Sequence, residues 1–190
     1  MPSKCTHTYK KGKVLFIEFD NGWTIISKLG MTEWWFSNLK EFGEPGVLLT
    51  EINKLAPDIT NSISFSSNIK KRINKLVNKK PNELIEDVII DQKLIFSGIG
   101  NYLKSEILYL SKISPLRPIK NIDMDMWKLI FKCSRKIVKK MYKILVNKTS
   151  DEYMDSMYVY QKTEDLYGNK IKTHTSKTGR TSFYVPSIQK

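Results

Sequence analysis

Gly98 and Gly100 bracket Ile99, and Asn101 follows at once, within the stretch DQKLIFSGIGNYLKSEILYLSKISPLRP that runs from Asp91 to Pro118. Glycine lets a backbone approach a ligand closely and adopt positive φ. A helix opening near Asn101 presents unpaired backbone N–H groups and the positive end of its dipole. Together these make a seat for a phosphate. The plainer reading is an ordinary connection between two apolar helices, and the glycines alone do not exclude it. Net charge bears on which phosphate would matter. The chain carries 32 Lys and Arg against 19 Asp and Glu, a formal charge of +13. Such a balance favours polyanions: a nucleic acid, or an anionic membrane face. Lys, Asn and Ile are heavily used throughout, so part of the charge is a matter of composition.

The elements that must position this seat fall into three regions, expected as domains over residues 1–60, 61–150 and 151–190. In the first, KKGKVLFIEFDNG alternates and ends in Asp20-Asn21-Gly22, a hairpin signal, and WTIISKLGM returns as a second strand. Residues 37–60 read as irregular, broken by Gly43, Pro45, Gly46 and Pro57. The second region is helical. Ile69, Ile73, Leu76 and Val77 share one face, with Lys70, Lys71, Arg72, Lys75, Lys79 and Lys80 elsewhere, and Pro81 closes the helix. Leu84 to Phe96 and Asn101 to Lys112 make the central pair. Asp123 caps a last helix with Trp127, Ile130, Ser134, Ile137, Met141 and Ile144 at helical spacing. The lysines and Arg135 on its other face read as a solvated surface. In the third region, Tyr158–Tyr160 and Ser182–Val185 look like short strands, with turns at Gly168-Asn169 and Thr178-Gly179-Arg180. The fold class expected is α+β.

At 190 residues there is room for one compact domain or two small ones. No apolar run is long enough to span a bilayer, and MPSKCTHTYKKGK lacks a signal-peptide core. A soluble intracellular protein is expected, in cytoplasm, nucleoid or a viral replication site. Cys5 and Cys133 stand far apart without CxxC partners, and His7 and His174 are isolated. These residues supply no disulfide scaffold and no metal cluster, so no cofactor is expected.

Three pieces of this chain, in order, resemble the formamidopyrimidine-DNA glycosylase / endonuclease VIII family. KKGKVLFIEF followed by KLGM is similar to its strand pair, with Lys28 standing where the family usually has histidine. The resemblance implies that Lys13 contacts the phosphate beside the lesion and assists catalysis. It also implies that Met31 fills the gap left by an extruded base. Asp-Gln, Gly-Ile-Gly-Asn-Tyr, Ser-Glu-Ile-Leu and Ile-Ser-Pro resemble the family's helix-two-turn-helix. There Gly98 and Gly100 form the hinge, Asn101 grips the DNA backbone, and Glu106 is read as a local structural residue. Leu55-Ala56-Pro57-Asp58 resembles the segment leading into the helical domain. The run Gly-Arg-Thr-Ser-Phe-Tyr at 179–184 resembles the tip of the family's DNA-binding finger, whose arginine maps to Arg180. In the zinc form two CxxC pairs hold that finger. The matching places here are Glu164, Tyr167, Val185 and Ile188, so the resemblance is to the zincless variant.

By the same resemblance the catalytic nucleophile is an N-terminal proline, here Pro2, whose amine attacks the sugar C1′ and forms a Schiff base. The sequence departs from that pattern. Ser3 stands where a proton-shuttling glutamate belongs, and Lys13 follows Pro2 by eleven residues instead of several tens. A truncated N-terminal β-sandwich is therefore expected. The leading expectation is a monomeric DNA glycosylase and abasic-site lyase acting on duplexes with oxidised bases. The alternatives are a catalytically inactive damaged-DNA-binding homologue and an RNA-associated basic protein.

Overall fold

The computed structural model describes residues 4–11, 14–21, 23–28, 34–38, 54–61, 63–147 and 150–190. It begins with an antiparallel meander. Strands β1 (Cys5–Lys11), β2 (Val14–Phe19), β3 (Trp23–Lys28) and β4 (Trp34–Asn38) lie in sequence order. Strands β2 and β3 pair as the alternation predicts, with Phe16 opposite Ile26 and Ile17 opposite Ile25.

The helical part follows. Helix α1 (Ser67–Lys79) starts at Ser66, whose hydroxyl accepts from the Ile69 N–H, and it buries Ile69, Ile73 and Leu76. Arg72, read from the sequence with the exposed cations, instead turns inward. Its guanidinium donates to the carbonyls of Lys93 and Leu94 at 3.1 and 2.8 Å. Helix α2 is shorter than expected, Ile85–Ile90, because Asp91 to Gly100 leaves helical geometry and forms the turn. Helix α3 runs Asn101–Leu110 and a 3-10 turn covers Ile119–Asn121. Helix α4 spans Met124–Asn147; as expected, the Asp123 carboxylate caps it, accepting from the Met126 N–H at 2.8 Å. Its inward stripe is Trp127, Ile130, Ser134, Ile137 and Met141, all buried. Arg135 on the basic face is structural too: it donates to the carbonyls of Ile59 and Asn61. A short helix α5 (Ser150–Asp155) follows.

The tail forms one hairpin, β5 (Lys172–Thr175) with β6 (Thr181–Tyr184), in which His174 lies opposite Ser182. Tyr158–Tyr160 is not a strand. Its N–H groups have a different partner, the carboxylate of Glu106, which accepts from Tyr158, Val159 and Tyr160 at 2.7, 2.9 and 3.0 Å. Glu106 is fully buried and thus ties α3 to a segment some fifty residues on, not to its own neighbourhood. The main core joins α1 to α4, with Ile59, Phe96, Ile99, Ile107 and Trp127 at its centre.

Candidate nucleic-acid interface

The glycine corner is held by the side chains of Gln92 and Ser97 and by backbone hydrogen bonds. Gln92 spans the turn: its amide donates to the carbonyls of Ile90 and Ile99 at 2.7 and 3.0 Å, and its oxygen accepts from the Gly98 N–H at 2.8 Å. The segment 56–59 braces it from outside. Ser97 N–H donates to Pro57 O, Ile59 N–H to Ser97 O, and the Ser97 hydroxyl to Ala56 O. Gly98 has φ +93°, and a Cβ there would stand 2.8 Å from Asp58 Oδ1. Only glycine fits that position. Gly100 is different. Its φ of −102° is open to any residue, and its task is to stand at the N-cap of α3 with no capping side chain. The first turn of α3 is left to partners from outside the helix.

One partner is the hairpin. The Asn101 amide donates to the carbonyl of Thr181 at 3.0 Å, and Asn101 Oδ1 is buried without a hydrogen-bond partner. Thr181 adjoins Arg180, so the glycine corner and the hairpin tip lie together on one side of the protein. The attachment continues residue by residue. The Ser182 hydroxyl donates to Glu86 Oε2 at 2.5 Å, and the Phe183 N–H donates to the Ser105 hydroxyl at 3.2 Å. Tyr160 packs edge-on against Phe183, with ring centroids 5.1 Å apart.

Beneath this contact lies a charged interior that sequence reasoning missed. Glu86 and Lys104 are both fully buried. His174 Nδ1 sits 2.7 Å from Glu86 Oε1, an ion-pair distance, although the two are not aligned as a hydrogen bond. Lys104 Nζ has no hydrogen-bond partner among the described residues. Burial pushes its amine down to about 8; Glu86 and Asp87 oppose that fall and nearby Arg180 adds to it. A sequence signal was present: Lys104 and Glu86 stand in helical runs rich in apolar residues, NYLKSEILYL and LIEDVII.

At its base the finger is held by a knot around Asp165. That carboxylate accepts from the Tyr167 and Asn169 N–H groups, the Asn169 amide and the buried Tyr109 hydroxyl, all within 3.1 Å. These bonds hold its acid below the usual carboxylate range against the opposing effect of burial. Beside the knot, Val159 and Val185 pack with Tyr109. Of the four places that match the zinc ligands of the finger, Glu164 is 2.7 Å from Lys170, Tyr167 is exposed and Val185 is core. That donor set does not fit zinc. Pro2, Lys13 and Met31 lie outside the described residues.

A helix-two-turn-helix docked against a hairpin finger defines the class of fold. No protein-family model matches the chain. It is 29% identical over 127 residues to an endonuclease 8-like protein of Acanthamoeba polyphaga mimivirus, covering 66% of this chain and 44% of that protein. It is 25% identical over 186 residues to a formamidopyrimidine-DNA glycosylase of Arabidopsis thaliana, covering 92% of this chain and 43% of that one. The chain thus spans less than half the length of these curated relatives. The crystal structure of the Lactococcus lactis formamidopyrimidine-DNA glycosylase, non-covalently bound to DNA containing an abasic site, superposes over 100% of this chain and 83% of its own, with a TM-score of 0.77 at 20% identity. In sequence the chain is thus similar to formamidopyrimidine-DNA glycosylases and to an endonuclease 8-like protein, and it shares the fold of the former.

Proposed function

We propose that this protein grips the backbone of duplex DNA at an oxidised base or abasic site and acts there as a DNA glycosylase and abasic-site lyase of base excision repair. The observation that carries the reading is the contact between Asn101 and Thr181. It brings the uncapped N-terminus of α3 to the residue that follows Arg180, and this juxtaposition supports one phosphate run held by backbone N–H groups, a side-chain amide and the arginine. The solved relative bound to abasic-site DNA supports the choice of ligand.

In the reaction, an amine attacks C1′ of the flipped nucleotide and the bond to the base breaks, leaving an iminium. Loss of the C2′ proton then expels the 3′ phosphate and nicks the strand. We assign Asn101 and Arg180 to the phosphates, with Gly98 and Gly100 shaping the corner. Lys13 is assigned to the adjacent phosphate and proton transfer, Met31 to the vacated stack, and Pro2 to the nucleophile. The finger, helical and sheet regions act as three units in a monomer. Among the described residues no helix is long and apolar enough to cross a membrane.

Borohydride trapping tests the chemistry. Incubation with an abasic-site duplex and borohydride should yield a covalent adduct through an amine, and Pro2→Gly should abolish it. Tight binding with no adduct and no nick would leave the catalytically inactive homologue, for which Ser3 in place of a proton-shuttling glutamate speaks.

A further inference from the structure

We propose that Glu86 is the positioning residue of the phosphate grip: it holds the Ser182–His174 rung of the hairpin against α2 and so fixes Arg180 and the Thr181 carbonyl opposite Asn101. The inference rests on the duplex-binding reading above. The carboxylate reaches both strands of the hairpin at a single rung, through the Ser182 hydroxyl on β6 and the His174 imidazole on β5. Ser182 lies two residues beyond Arg180 and one beyond Thr181. A shift of that rung along α2 would carry the arginine away from the α3 N-terminus. Hydrophobic packing does not set such a register. Tyr160 against Phe183 is an edge contact that tolerates sliding, whereas a hydrogen bond of 2.5 Å does not.

The electrostatics agree. A buried carboxylate is costly unless charge and hydrogen bonds compensate it. Charged groups gather in this interior: His174 on the hairpin lies 2.7 Å from Glu86, and Glu86, Asp87 and Arg180 all act on the buried Lys104 of α3. Lys104 thus places a positive charge in the same interior. Glu106, equally buried, shows what a purely structural glutamate looks like here, with three backbone N–H donors from the segment 158–160.

The test uses the full chain and a duplex containing a tetrahydrofuran abasic-site analogue, titrated over a range of salt concentrations. Glu86→Ala and Ser182→Ala should each weaken binding about tenfold. Each should also flatten the log–log salt slope by about 0.9, the value for one lost phosphate contact and the one expected for Arg180→Ala. Glu86→Gln should restore the slope, because its amide oxygen still accepts from Ser182. Circular dichroism melts establish that the variants fold; if Glu86→Ala does not, Ser182→Ala, which loses one hydroxyl, decides. Folded variants with unchanged affinity and slope would overturn the proposal. If the unaltered chain shows no salt-dependent affinity for this duplex, the duplex-binding reading itself fails, whatever the variants do.

Discussion

The surroundings of Glu106 and of Glu86 make an instructive pair. Both glutamates are fully buried, and both tie the helices to the tail. Glu106 is saturated: three successive N–H groups from Tyr158 to Tyr160 converge on it. Around Glu86 the partners are side chains, and Lys104 Nζ, Asp87 Oδ1 and Asp87 Oδ2 are left without hydrogen bonds. A satisfied buried charge fixes a fold. An incompletely satisfied cluster costs stability where it stands, here beside the hairpin that carries Arg180.

The contrast is broken most severely at Glu106. Glu106→Ala strands three N–H groups in the interior and should lower stability by about 4 kcal/mol, read from denaturant melts. Gly98→Ala should follow, at about 3 kcal/mol, since the new methyl meets Asp58 Oδ1 in a left-handed backbone conformation. Lys104→Met sharpens the comparison by having the opposite sign. It should raise stability by about 2 kcal/mol at pH 7, because burial disfavours the ammonium by more than the attraction of Glu86 and Asp87 offsets. In the unfolded chain lysine titrates near pH ~10.4, whereas folded Lys104 titrates near about 8. Between those values the unfolded chain holds a proton that the folded one has released, so native stability rises with pH. The variant should lack that rise in melts from about pH 8 to pH 10. The folded-state acids of Tyr109 and Tyr153 are raised, so their contribution is lost only above the tyrosine range near pH ~10.

The sequence made much of this legible where local rules dominate. Asp20-Asn21-Gly22 marked the hairpin, Asp123 marked the start of α4, and the spacing of Ile69, Ile73 and Leu76 marked the buried face of α1. Asn101 and the Arg180 tip stand out in the sequence because Gly-Ile-Gly-Asn and Gly-Arg-Thr-Ser-Phe-Tyr are contiguous motifs. Long-range polar pairings were not legible. Tyr158–Tyr160 has strand-forming residues, yet its N–H groups turn to Glu106. Arg72 and Arg135 looked like surface charge, yet each reaches loop carbonyls that close only in the folded chain. His174 appeared isolated because its partner is 88 residues away in the sequence. No periodicity encodes such a contact.

The account depends on Asn101 and Arg180 acting as one grip, and a double-mutant cycle measures that directly. Binding of the tetrahydrofuran duplex would be compared for the unaltered chain, Asn101→Ala, Arg180→Ala and the double variant at fixed salt. A shared grip predicts that the double variant loses little more than the worse single one, a coupling of about 1 kcal/mol or more. Strictly additive losses would mean that the glycine corner and the hairpin tip hold DNA independently, and would contradict it.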